Sequence, residues 1–327
     1  MKTIAASLTL LVLATVRPPE PPSAGPGAAF AATPSSRPLP PAQTVAIVPP
    51  MHPAVQSGTD LFLVHLGERD GQLAVDSVTR LTDRPGYDNQ PHVLPDGTAV
   101  LYTSIDDTGQ ADIHRFDLRT GRSEPVTRTA PESEYSATVM PDGERFSAIR
   151  VEADSAQRLW SFRLDGTDPR VVLERIAPVG YHAWIDADRV AIFVLGQPAT
   201  LRIADVRTGE ARVVAENIGR SLHRIPASQE ISFLHREASD TVGWVKRYDP
   251  ATDAMSPLIQ PFADNEYHAW TPDGTLLTGS GSTLYAWRPN GQGGWTAVAD
   301  LAGDGVRGIS RIAVSADGRT LVLVAMD

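Results

Sequence analysis

From residue 59 onward, apolar and polar positions recur with a long, regular beat. The clearest mark is a Pro-Asp-Gly, or a degenerate version of it, between two apolar runs. It stands at Pro95-Asp96-Gly97, Pro141-Asp142-Gly143 and Pro272-Asp273-Gly274, and as Ala316-Asp317-Gly318 near the end. Asp186-Ala187-Asp188 and Ala227-Ser228-Gln229 fill the gaps between them. Taking Asp96, Asp142, Ala187, Ser228, Asp273 and Asp317 as equivalent gives spacings of 46, 45, 41, 45 and 44 residues. Asp-Gly between apolar runs is a hairpin signal, because Gly accepts a positive φ at no steric cost. The runs that follow are apolar and β-branched, as in Ala99-Val100-Leu101-Tyr102, Val190-Ala191-Ile192-Phe193 and Leu321-Val322-Leu323-Val324. They predict buried strands.

A second element follows in each repeat, an alternating strand that ends in another turn. Ile113 to Leu118 precedes Thr120-Gly121, and Leu159 to Leu164 precedes Asp165-Gly166. Leu201 to Val206, Val245 to Asp249 and Leu284 to Arg288 are its later copies, and one more short strand follows, such as Val171 to Leu173. Each repeat therefore predicts four strands, and nothing in this region has sustained helical periodicity. The last repeat stops after two strands. Its missing pair is at the front, Leu61 to Leu66 and Leu73 to Leu81 around Asp70-Gly71. A period in the forties with strand-like content is the signature of propeller blades. The predicted fold is all-β, a six-bladed β-propeller over residues 59–327 whose closing blade is shared between N- and C-terminal strands, which hides the open edges.

This arrangement of strand, Pro-Asp-Gly, strand, polar loop, strand, Gly turn and strand, followed by Leu-Thr, resembles the propeller of the TolB family. Arg80-Leu81-Thr82-Asp83 matches that blade ending, and Pro125-Val126-Thr127 matches it in part. The resemblance covers residues 59–327 and implies the fold. TolB proteins carry a separate α/β domain ahead of the propeller, for which 58 residues are too few, so a role in the Tol–Pal system is not expected. Propeller-bearing peptidases of the prolyl oligopeptidase type add a hydrolase domain, and that activity is not expected either.

The N-terminus changes the picture of where the protein works. Lys2 precedes a largely apolar run from Ile4 to Val16, too short to span a bilayer comfortably. Residues 1–31 read as a signal peptide with Ala29-Phe30-Ala31 as a cleavage candidate, and residues 32–58 as a Pro/Ala-rich tether. The expected location is periplasmic or secreted, with no integral membrane span and a monomeric state. A net charge of −10 repels phosphate backbones and argues against nucleic acid. The chain has no cysteine, which removes disulfides, thiolate metal sites and cysteine nucleophiles.

Standard catalytic motifs are absent: no G-x-S-x-G, no H-E-x-x-H and no phosphate-binding G-x-x-x-x-G-K-[ST]. Chemistry on a propeller must instead be assembled from several blades. Aligning the repeats on their turn places His182, His223 and His268 at one equivalent position, with His92 one residue later in the first repeat. Two of them share a longer match, Tyr181-His182-Ala183-Trp184 and Tyr267-His268-Ala269-Trp270. The alternatives are shared packing between blades, a ligand-contacting ring, or a divalent metal site on His182, His223 and His268. Loops at the same mouth carry acids, among them Asp88, Glu134 and Glu266, beside Tyr87, Tyr135, Tyr181 and Tyr267, with Arg220 and Arg311 on the later blades. These are either ordinary solvated loops or an acidic, aromatic funnel. Asp106-Asp107 with the following Thr108-Gly109-Gln110 reads as a plain turn or a calcium loop. The candidate ligand-binding residues are Tyr181, His182, Trp184, His223, Glu266, Tyr267, His268 and Trp270. The leading expectation is a non-catalytic binding or scaffolding module for a protein or peptide partner. The alternative is a metal-assisted enzyme acting on carbohydrate through the histidines.

Overall fold

The structure is a computed structural model that describes residues 58–263, 265–289, 291 and 293–326. The expected signal peptide and tether lie outside the described residues, apart from Gly58. Among the described residues, strands account for almost all regular structure. Strands β1 (Thr59–Arg69) and β2 (Gln72–Arg80) form a hairpin around the predicted Asp70-Gly71 turn. The first full blade is β3 (Tyr87–Val93), β4 (Ala99–Ile105), β5 (Ala111–Asp117) and β6 (Arg122–Pro125). The second is β7 (Ser133–Val139), β8 (Arg145–Val151), β9 (Gln157–Arg163) and β10 (Arg170–Val171). The third is β11 (Val179–Trp184), β12 (Arg189–Val194), β13 (Thr200–Asp205) and β14 (Glu210–Glu216). The fourth is β15 (Ile218–Arg224), β16 (Ile231–His235), β17 (Trp244–Asp249) and β18 (Ala254–Ile259). The fifth is β19 (Ala269–Trp270), β20 (Leu276–Ser280), β21 (Thr283–Trp287) and β22 (Thr296–Asp300). Last come β23 (Ile312–Val314) and β24 (Thr320–Met326).

Blades two to five are separate four-stranded antiparallel sheets. β24 pairs with β23 on one side and with β1 on the other, and β2 pairs β1, so the two chain ends build one blade. One parallel strand pair, Thr59 with Tyr87, links that blade to the first, beside the apolar side chains packed between them. The described residues thus form one eight-stranded sheet, in which the closing and first blades are joined, and four four-stranded sheets, and the closing blade is shared between the chain ends as the sequence predicts.

The alternation of side chains explains why the inner strands are apolar throughout. On β4, Val100 and Tyr102 pack toward the closing blade while Ala99 and Leu101 pack toward blade two. On β24, Leu321 and Leu323 face blade five while Val322 and Val324 face blade one. On β12, Val190 and Ile192 face blade two and Ala191 and Phe193 face blade four. A strand with a neighbouring sheet on both faces must be apolar at every position. Each such aliphatic side chain contributes about 1.5–3 kcal/mol by burial.

The blade ending has a physical role. Thr82 Oγ1 accepts the backbone N–H of Leu61 at 3.0 Å and donates to Asp60 Oδ1 at 2.9 Å. Thr127 Oγ1 does the same for Ile113 N–H at 2.8 Å and Asp112 Oδ1 at 3.2 Å. The threonine after the outer strand therefore ties that strand to the third strand of its own blade. Asp60 is fully buried, and Arg80 is its ion-pair partner.

Candidate functional site: an arginine-floored channel cavity

The first strand of several blades is not regular. Register slips occur between Asn89 and His92, Tyr135 and Thr138, Val179 and Tyr181, and Ile218 and Leu222. Gln90 and Ser136 sit at φ of 57° and 56° in the first two slips. A bulge re-aims the side chains beside it. Here the re-aimed side chains line a cavity of about 550 Å³, to which all six blades contribute.

Tyr181, His182, Trp184, His223, Tyr267, His268 and Trp270 all line it. Each histidine has a hydrogen-bond partner within the fold. His182 Nε2 lies 2.6 Å from Ser147 Oγ on the preceding blade, and the same oxygen accepts Trp184 Nε1–H at 2.9 Å. His268 Nε2 lies 3.0 Å from Ser232 Oγ, which accepts Trp270 Nε1–H at 2.8 Å. One serine on the second strand of blade two or four thus holds both the imidazole and the indole of the next blade. His223 bonds Ser221 Oγ at 3.1 Å, and its ring centre is 5.1 Å from that of His268. His92 Nε2 accepts Val139 N–H at 3.2 Å, again across a blade boundary, which fixes that nitrogen as unprotonated. In the expected metal set, the Nε2 atoms of His182 and His268 are each bonded to a serine on a different blade. Among the described residues no group of three His, Asp or Glu side chains is arranged to hold a metal ion. Burial lowers the pKa of His182 to about 3 and of His223 and His92 to about 4, and holds His268 well below the ordinary range. All four are neutral near pH 7.

The acids are also placed differently from an open acidic funnel. Asp88 is buried, 2.6 Å from Arg84. Glu134 is buried against Thr129 and Arg150. Glu266 accepts the Arg220 backbone N–H at 3.0 Å and stands 3.6 Å from its guanidinium. Asp106 Oδ1 accepts Thr108 and Gln110 N–H groups of its own loop, a self-capped turn. Among the described residues no Asp or Glu lines the cavity, whereas Arg220, Arg224 and Arg311 do. The cavity of this acidic protein is cationic.

Arg311 lies at its centre. Nη2 donates to Tyr181 Oη and to Tyr267 Oη, each at 2.9 Å. The guanidinium carbon also stands 4.9 Å and 4.3 Å from the two ring centres, within cation–π range. The first of these bonds joins the closing blade to the third blade, and the second joins it to the fifth. Tyr87 and Tyr135 approach the same cluster, and burial raises both of their hydroxyl pKa values. Burial works against the charge on Arg311, and the tyrosine oxygens around it outweigh that, so its pKa is raised.

Sequence reasoning names Arg311 only as one of several mouth arginines. A signal for it was present: Arg311 stands six residues before Asp317, as Tyr181 stands before Ala187 and Tyr267 before Asp273. The partner serines Ser147 and Ser232 carry no such signal, because they belong to the second strand of another repeat.

No family model matches the chain, and no curated protein matches it in sequence. Solved structures do match in fold. A putative TolB from Agrobacterium tumefaciens has a TM-score of 0.62 at 13% identity, covering 84% of this chain and 99% of that one. TolB from Acinetobacter baumannii has a TM-score of 0.54 at 14% identity, covering 81% of this chain and 64% of that one. An oligogalacturonate lyase in complex with manganese has a TM-score of 0.53 at 16% identity, covering 81% and 86%. The fold is that of TolB-like and related β-propellers. No helix among the described residues is long and apolar enough to cross a membrane.

Proposed function

We propose that this protein is an exported, non-catalytic binding propeller that holds a segment of a protein or peptide partner in its channel cavity. The observation that carries this reading is the cavity itself: six blades converge on a space of about 550 Å³ lined by tyrosine, tryptophan and arginine. Tyr, Trp and Arg are the side chains that dominate binding energy where proteins meet. They offer large contact area and oriented donors at low conformational cost. The space suits a few residues of an extended chain rather than a folded domain. The imidazoles are neutral and bonded to serines or to backbone, and among the described residues no carboxylate lines the cavity, so proton transfer has no evident agent among them. Fold likeness cannot choose a ligand, since the same architecture serves a TolB and a lyase. Export rests on the short basic start and apolar run of the N-terminus.

The test is a peptide-binding selection on the immobilised mature protein, followed by titration of the enriched peptides. The expected result is binding that weakens about tenfold or more when Tyr181 and Tyr267 are both changed to Phe, a loss of about 1.4 kcal/mol. Enrichment of no peptide above background, together with metal-dependent cleavage of a polysaccharide, would establish the enzyme reading instead.

A further inference from the structure

Three guanidiniums line the cavity, but they are not equivalent. Arg220 has Glu266 beside it at 3.6 Å. Arg224 is exposed, and its Nε donates to the Ser228 carbonyl at 2.6 Å. Arg311 alone is half-buried with no acidic partner among the described residues. Both hydrogens of its Nη2 go to tyrosine hydroxyls, while Nε and Nη1 donate to no described residue. Withdrawing a cation from water without a counter-charge is costly, and ring faces offset only part of that cost.

A second, independent observation lies in the same cavity. Gln90 is 5% exposed and lines it. Its Oε1 accepts the Ser136 backbone N–H at 2.9 Å and the Thr103 hydroxyl at 2.7 Å. A backbone N–H can only donate, so the amide orientation is fixed and Nε2 must be the remaining group. That Nε2 is buried and has no partner. Blade one adjoins the closing blade, and Gln90 and Arg311 line the same cavity. A buried donor left empty in a native fold, as Gln90 Nε2 is, calls for an acceptor.

We infer that the cavity is a carboxylate site in which the free edge of Arg311 receives the two oxygens, with Gln90 as a further donor. The inference rests on the reading of the cavity as a binding site. A planar carboxylate matches the guanidinium fork, and one uncompensated cation matches one negative charge. A peptide C-terminus and a sugar acid both present this group, and both fit the volume.

The experiment titrates the mature protein calorimetrically with two pairs of probes. One is a mixed tripeptide pool prepared with free C-terminal carboxylates or as C-terminal amides. The other is a hexuronic acid against its neutral hexose. The acid form of at least one pair is expected to bind at least tenfold more tightly than its neutral counterpart. In Arg311→Gln that preference is expected to vanish while thermal unfolding stays cooperative. Equal binding of acid and neutral forms in both pairs overturns the carboxylate site, and so does a preference that survives in Arg311→Gln. If Arg311→Gln does not fold, competition by acetate against the acid probe on the wild-type protein replaces it, and absence of competition overturns the inference. Peptides that bind equally as acids and amides leave the partner-binding reading standing. A preference seen only with the hexuronic acid keeps the carboxylate site and removes the peptide partner.

Discussion

Ser147 and Ser232 each hold a histidine and a tryptophan of the next blade on a single hydroxyl oxygen. His182 and His268 are 7% and 2% exposed, so each is stable only as the neutral ring. Their folded pKa values, about 3 for His182 and well below the ordinary range for His268, lie under an unfolded value of about 6.5. The unfolded chain therefore binds more protons below pH 6.5. The stabilisation is complete above that pH and is lost as pH falls toward the folded values. These two residues alone should cost about 2–3 kcal/mol between pH 7.5 and 5.5, at about 1.4 kcal/mol per unit for each. Urea unfolding at the two pH values checks this. His182→Gln with His268→Gln should flatten the slope, and an unchanged slope would assign the acid sensitivity to other groups. At this scale the sequence revealed the repeated Tyr-His-Ala-Trp but not its meaning. The histidines' partners lie 35 and 36 residues earlier, on strands that read only as buried.

Strand positions were legible because burial on both faces demands long apolar runs, and the turns because aspartate caps them. Asp96, Asp142 and Asp317 each accept a backbone N–H two residues on. In the degenerate fourth repeat, Ser228 Oγ accepts Glu230 N–H in the same way. Bulges were not legible, since a bulge depends on what a strand must aim at and leaves no local pattern. Gly219 shows how tightly the fourth blade's first strand is built. A Cβ there would stand 2.9 Å from Glu266 Oε2 and 2.9 Å from the Leu234 Cβ. Backbone and side chain would both have to move, so Gly219→Ala should destabilise the protein by about 1–3 kcal/mol. Thermal unfolding measures this, and an unchanged midpoint would show that the Arg220–Glu266 pair can shift at no cost.

The closing blade makes the two ends of the propeller interdependent. β1 pairs with β24 over seven positions, from Thr59 with Met326 to His65 with Thr320. Leu321, Val322, Leu323, Val324 and Ala325 are fully buried, split between two blade interfaces. Removing residues 320–327 would expose β1 and β23 edges and two apolar faces, so the truncated chain should aggregate or lose cooperative unfolding. Size-exclusion chromatography reads the outcome directly, and a stable monomer would mean that the ring tolerates an open blade. The same closure brings Arg311 to Tyr181 and Tyr267 in one cavity. The structure of the protein with a selected peptide tests the account most directly. Peptide density is expected between the first strands, in contact with Tyr181, Tyr267 and Arg311. A peptide seated on the outer strands, with the cavity untouched, would contradict it.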